Sequence, residues 1–460
     1  MAHGSVLFAS AALVLGALVS VAVLATTSSA TTGTSWTVYH GDPAGSGLSL
    51  AIKAVNTSHP KWQSTGLDGA LYGEPLVYGN DVYVATENDT IYALSATNGH
   101  VVWSRHLATP VPSSDLPCGD ISPVEGITGT PVIDPSRNEL FAVAFEMVGG
   151  HPEHMLVGVN ATTGALKLRR DVDPPGAVTV ALLQRTGLTL DNGRVIFGYG
   201  GNDGDCAAYR GRIVSVPETG GPTKIFTVDG SHGDSQGAIW MGGAAPAVDA
   251  KGDVWVSAGN GSVNSSSQPF DDSDSVLELS STMHLDQYFA PTSWPQNNAA
   301  DLDMSMEPAL LSNGQVVIAG KSEIIYLLNG HHLGGIGHQQ SSLDSGCQGN
   351  VDGGGATVGT TVYLPCVSGT VAVRVSSKAP ALRLLWSTSN GGGSPIVAAG
   401  LVWTIGQNGV LYGLSPASGA IRQQVSIGQP VNHFPTPSVG DGLLLAPTAN
   451  TVVAFSTTAS

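Results

Sequence analysis

From residue 73 onward, apolar and polar residues alternate in runs of about five, and glycine-containing turns separate the runs. Val82-Tyr83-Val84 and Val402-Trp403-Thr404 show the pattern. A period of two sends successive side chains to opposite faces of a strand. Asn98-Gly99, Asn192-Gly193, Asn313-Gly314 and Asn408-Gly409 sit between runs, where a tight hairpin needs residues that accept positive φ. Helical periodicity is nearly absent past the N-terminal segment. The runs group into a repeating unit whose clearest copy spans residues 73–107. Further copies start near Gly129, Leu188, Ala245, Glu307, Gly355, Ser394 and Thr436, making eight. A lone four-stranded unit cannot bury both faces, so eight of them predict radial stacking. The expected fold is all-β, an eight-bladed β-propeller of four-stranded blades. The last unit ends after Val452-Val453-Ala454-Phe455, one strand short. Pro60-Lys61-Trp62-Gln63 can supply that strand, so the ring is expected to close by pairing its N- and C-terminal strands. Closure also removes an exposed sheet edge.

Composition agrees with a folded, turn-rich chain. The 460 residues include 60 Gly and 27 Pro, and 42% are hydrophobic against 12% charged. A formal charge of −17 argues against nucleic acid, which needs a basic footprint. Residues 6–24 are almost unbroken apolar sequence, and Ser28-Ser29-Ala30 follows as a small-residue cleavage site. Residues 1–30 therefore read as a signal peptide, or uncleaved as a signal anchor and the chain's one membrane contact. Residues 31–460 read as a single propeller domain, secreted or at the cell surface. Cys118, Cys206, Cys347 and Cys366 match no zinc spacing, and an even number in an exported chain predicts disulfides. Three pairings exist. Cys347 with Cys366, across one strand and turn, is the first expectation, and Cys118 with Cys206 follows by elimination.

The unit GNDVYVATENDTIYALSATNGHVVWS resembles the repeat of the pyrroloquinoline quinone (PQQ)-binding-like propellers. The resemblance extends over roughly residues 36–455. That superfamily includes quinoprotein dehydrogenases and also noncatalytic scaffolds of bacterial outer-membrane assembly, so it implies fold more than function. In it, a turn and a Trp from each unit dock adjacent blades. Asn98-Gly99 with Trp103 matches, whereas Ala161-Thr162-Thr163-Gly164 and Ala417-Ser418-Gly419 keep the turn and lose the Trp.

Residues just ahead of each repeat start line the mouth of a propeller, and there the resemblance implies a quinone and calcium site. Trp240-Met241-Gly242 is similar to the Trp-Gly pattern of quinoprotein alcohol dehydrogenases, and an indole gives a planar quinone its largest flat partner. Gly259-Asn260 follows as in that group, with Asn260 offering an amide oxygen to calcium. Gly200-Gly201 and Arg210-Gly211 resemble the two ends of its acidic turn, with Arg210 toward the cofactor and Asp203 or Asp205 toward the metal. The longer spacing leaves the choice of Asp open. Asp303 is the expected general base, with Asp301 the near alternative, and Lys321 the cation facing the quinone oxygens. Ser322-Glu323 replaces the usual Asn-Gly, and the adjacent Cys pair found over the quinone in many such enzymes is missing. No haem motif is present, so electrons would leave to a separate acceptor.

Each of these residues also has an ordinary reading: a channel-filling Trp, an acidic turn capping its own amides, a solvated loop carboxylate, a surface lysine. Glu74, Glu125, Asp352 and His433 also lie near repeat starts, as further channel-lining groups. His331, His332 and His338 offer nitrogens to a transition metal, but no second cluster fixes a geometry. Two functions follow from different classes. One is a PQQ- and calcium-dependent oxidoreductase acting on an alcohol or sugar. The other is a noncatalytic propeller binding a protein or glycan partner, with a calcium-stabilised surface module as a variant.

Overall fold

The structure, a computed structural model, describes residues 1–4, 34–228, 233–376 and 379–459. The expected export segment, residues 6–24 with the cleavage site at 28–30, lies outside the described residues. Among the described residues, no helix is long and apolar enough to cross a membrane. Two compact units divide the chain, Met1–Thr32 and Gly33–Ser460, and the β-structure belongs to the second.

Eight sheets of four or five strands form the eight blades of a propeller. Blade 1 consists of Leu76–Tyr78, Asp81–Thr86, Thr90–Ser95 and Val101–His106, paired antiparallel in that order. The innermost strands of blades 2 to 8 are Val132–Asp134, Thr189–Asp191, Ala247–Val248, Ala309–Leu310, Ala356–Val358, Ile396–Ala398 and Ser438–Gly440. Each follows directly on one of the repeat starts. Burial explains the sequence pattern. The second strand of blade 1 is buried at every position after Asp81, because neighbouring blades cover both of its faces. The fourth strand, Val101–His106, alternates exposed and half-buried, because one face meets water. Ile421–Ser426 repeats this in blade 7.

The tryptophan docking works between consecutive units. The Trp103 indole donates to the Ala161 carbonyl at 2.9 Å and packs on Gly164 of blade 2. Trp386 of blade 6 does the same to Pro416, at 2.9 Å, and Gly419 of blade 7. Trp62 does so to Ala96, at 2.9 Å, and Gly99 of blade 1. The turns that lack a Trp in their own unit are therefore served by the unit before.

The ring closes by pairing its ends. Trp62 and Gln63 pair with Ala454 and Val453, and Ile52–Asn56 extends the same edge against Ser456 to Ala459. Both disulfides form, Cys118–Cys206 and Cys347–Cys366. The single α-helix among the described residues is Trp294–Ala299.

Ahead of the closing strands, residues 34–49 occupy the axis. Trp36 pairs with Val77 of blade 1. The carbonyls of Thr37, Pro43, Ser46, Gly47 and Thr34 accept from Ile133, Val248, Thr357, Val397 and Asp441, in blades 2, 4, 6, 7 and 8. Only a segment on the axis can reach the innermost strands of so many blades. At its bend Tyr39 and His40 are buried. Glu74 accepts from the Trp36 indole at 3.0 Å and the His40 amide at 2.9 Å, and Gly354 donates to the Tyr39 hydroxyl at 3.1 Å. Burial pushes the His40 imidazole down to about 3, so it sits there neutral. This arm plugs the channel and leaves the cleft at one face as the axial site.

Candidate active site

In each blade the first strand leads away from one face and the second returns to it. The loops at that face, here the entrance face, carry the connections between blades and the turns joining second to third strands. Trp240 lies in the connection into blade 4. Its indole donates to the Gly201 carbonyl at 3.0 Å and lies against Gly200, where a Cβ would collide with the ring. Glycine is needed there for the close approach. Lys321 follows the second strand of blade 5, Gln315–Ile318. Its Nζ stands 5.7 Å from the centre of the Trp240 ring, 2.6 Å from Asp303 Oδ2 and 3.1 Å from Asp301 Oδ2. Asp303 is buried, and its Oδ1 accepts from the backbone N–H of Asn260 at 2.6 Å.

Four of the sequence candidates thus meet. Trp240, Asn260, Asp303 and Lys321 come from four separate loops, two connections between blades and two turns, and are joined through two contacts to Asp303 and one cation–π approach. Burial raises the Asp303 carboxyl to about 6, against the opposing pull of the Lys321 ammonium and the Asn260 amide. Burial alone would lower Lys321. Asp303 and then Asp301 more than offset it, and its pKa is raised. At neutral pH the pair is ionised.

A cleft of about 170 Å³ opens beside this cluster. Trp240, Lys321 and Asp203 line it together with Arg185, Asp352, His433 and Phe434. Asp352 holds His433 at 3.1 Å, and its carboxyl is pulled down by that partner against the effect of burial.

A family model described as outer membrane protein assembly factor BamB matches residues 30–144. Quinohemoprotein alcohol dehydrogenase from Pseudomonas putida is similar in structure, with a TM-score of 0.69 at 13% identity over 92% of this chain and 80% of that one. A europium-containing methanol dehydrogenase gives a TM-score of 0.66 at 13% identity over 92% and 98%. BamB from Moraxella catarrhalis gives 0.53 at 14% identity over 85% and 95%. This chain has the fold of a PQQ-binding-like β-propeller. At these identities the likeness is one of fold alone. No curated protein matches the chain.

The other sequence candidates are placed differently. Asp203 is exposed on the cleft wall. Asp205 accepts from the Tyr209 hydroxyl at 2.7 Å, and burial raises its carboxyl. Arg210 turns to the Asp234 carbonyl, at 2.8 Å, in a separate hollow with Arg212 and Ser235. Glu74 anchors the axial arm. His331 lies at the opposite face, beside Asp249, Lys251 and Trp255.

The structure adds residues that sequence reasoning passed over. Asp274 is buried behind Asp303, is held by Asn297 at 2.7 Å, and is raised well above the usual carboxylate range, first by burial. It belongs to the run Asp271-Asp272-Ser273-Asp274, an acidic cluster at the edge of a strand that was a legible signal. Asn202 follows Gly201 directly. Its Nδ2 donates to Val180, and its buried Oδ1 accepts nothing. Asn260 Oδ1 is likewise buried and without a donor. Two orphaned amide oxygens lie in the loops flanking Trp240, with Asp303 against one of those loops, and oxygens of this hard type are the donors calcium takes. The donor chemistry fits the metal, and the Trp240 plate with its nearby cation fits a planar anionic quinone.

Proposed function

We propose that the entrance cleft binds a quinone together with a calcium ion, and that the protein oxidises an alcohol or sugar outside the cytoplasm. The observation that carries this is the Lys321 ammonium, which faces the Trp240 ring while bound to buried Asp303. Trp240 would stack on the quinone, and Lys321 would face its oxygens. Asn260, with Asp203 or Asp205 and the newly seen Asn202, would hold the ion. When bound, the quinone supplies a two-electron acceptor, and a separate acceptor takes the electrons onward.

The chain's own contribution is proton handling. Asp303, near 6 and ionised at neutral pH, can take a hydroxyl proton at Oδ2. Lys321 limits its basicity and holds it in place. The axial arm keeps water from entering through the channel. The cleft of about 170 Å³ opens to solvent, so a flat ring system larger than that volume can project from its mouth. The two disulfides at this face support an oxidising, extracytoplasmic setting.

The test is calcium-dependent PQQ binding by titration calorimetry, with Trp240→Ala as control. Binding that needs calcium and is lost in the variant is the expected result. A well-folded wild type that binds no PQQ sinks the reading. It would favour the second one, a scaffold for a protein partner, supported by the BamB-type match over residues 30–144.

A further inference from the structure

The cleft that Lys321 lines contains a second cation, one with unused bonding capacity. Arg185 lies ahead of blade 3 and lines the cleft. Its guanidinium stands 4.6 Å from the centre of the Phe434 ring and 5.7 Å from that of Tyr72, so aromatic faces hold it in position. Its side chain is 11% exposed, and Nε donates to no acceptor. Among the described residues its one ion pair is with Asp120, at 3.6 Å. That separation exceeds a hydrogen bond, and the Asp120 side chain is 48% exposed and free to swing away. Glu87 and Glu125 lie near, but burial raises Glu87 to about 7 and Glu125 well above its usual range, so neither is a full counter-charge. The remaining basic side chains of the cleft already have partners, Lys321 in Asp303 and Asp301, His433 in Asp352.

We infer that the cleft recognises a ligand bearing a carboxylate, and that Arg185 is the residue that binds this group, displacing Asp120. A planar guanidinium presents paired N–H donors that match a carboxylate. Trp240 and Phe434 on the same cleft suit a ring attached to it. The inference rests on the cleft being a ligand site. The carboxylate belongs either to the quinone or to the substrate, and the test separates these.

The test is titration calorimetry on the full chain, without quinone or metal, using benzoate and neutral benzyl alcohol as probes. Benzoate binds and benzyl alcohol does not. Arg185→Gln weakens benzoate roughly ten- to hundredfold, and Arg185→Lys, which keeps the charge and loses the fork, falls between. Asp120→Asn tightens benzoate, because a competing carboxylate is gone. No benzoate binding to the wild type, or binding unchanged in Arg185→Gln, overturns the inference. If Arg185→Gln does not fold, Asp120→Asn decides: benzoate no tighter than in wild type overturns it. Adding PQQ assigns the source. Expulsion of benzoate assigns the carboxylate to the quinone, and joint binding assigns it to the substrate. Failure of the quinone reading leaves the benzoate result standing, so the two are tested separately.

Discussion

At the residue scale, Asp303 and Lys321 define each other. The ammonium is the largest influence holding the buried carboxyl down, so Lys321→Met should move Asp303 above about 6, as read by carboxyl NMR titration. An unmoved titration would mean that the ion pair is not made in solution. Glu307 gives a second residue-scale prediction. It is buried beside the axial arm, and burial, then Asp42 and Glu74, raises its carboxyl well above the usual range. A carboxyl raised on folding stabilises fully below its unfolded value near 4.5, and that stability is lost as pH climbs toward the folded value. Glu307→Gln cannot ionise. Its melting temperature should match wild type near about pH 4 and gain on it from about pH 5 to about pH 8. A constant difference across that range would contradict the assignment. Trp240, Asn260, Asp303 and Lys321 were legible as candidates, because each stands in a loop beside a recognisable strand. Arg185 was not, since its meaning comes from Phe434, which lies 249 positions away in sequence (434 − 185).

At the scale of elements, the blade is a local device and its docking is not. Alternation and Asn-Gly turns announce each four-stranded unit, because hairpin partners are neighbours in the chain. The apparent loss of Trp after Gly164 and Gly419 shows where local reading ends. The ring that covers each glycine comes from the outer strand of the preceding blade. Both glycines have φ of +67°, and a Cβ there would stand 2.6 Å from Trp103 or Trp386. Gly164→Ala and Gly419→Ala should each destabilise by about 1–3 kcal/mol, combining a left-handed backbone with a crowded indole. Urea unfolding checks this. A change below about 0.5 kcal/mol, typical of a neutral surface site, would show that the docking carries no load.

At the scale of the whole molecule, the N-terminal stretch has two tasks. Residues 52–63 supply the outer strand of blade 8, and residues 34–49 run along the axis and bond to the innermost strands of six blades. A chain that begins at residue 65 should keep its blades, expose the Val452–Ala459 edge, melt lower and self-associate. Light scattering with a thermal melt would detect both changes. A monomer of unchanged melting temperature would show the ring closed by other means. The sequence by itself determined the number of blades, their order and the closing strand. Those follow from periodicity, turn residues and repeat count, all properties of near neighbours. Tertiary structure alone decided that the arm fills the axis, that Arg210 turns away while Arg185 enters the cleft, and that Lys321 joins Asp303 to Trp240. These contacts link residues far apart in the chain. Radial packing brings them together, and no local pattern encodes which distant side chains will share a buried space.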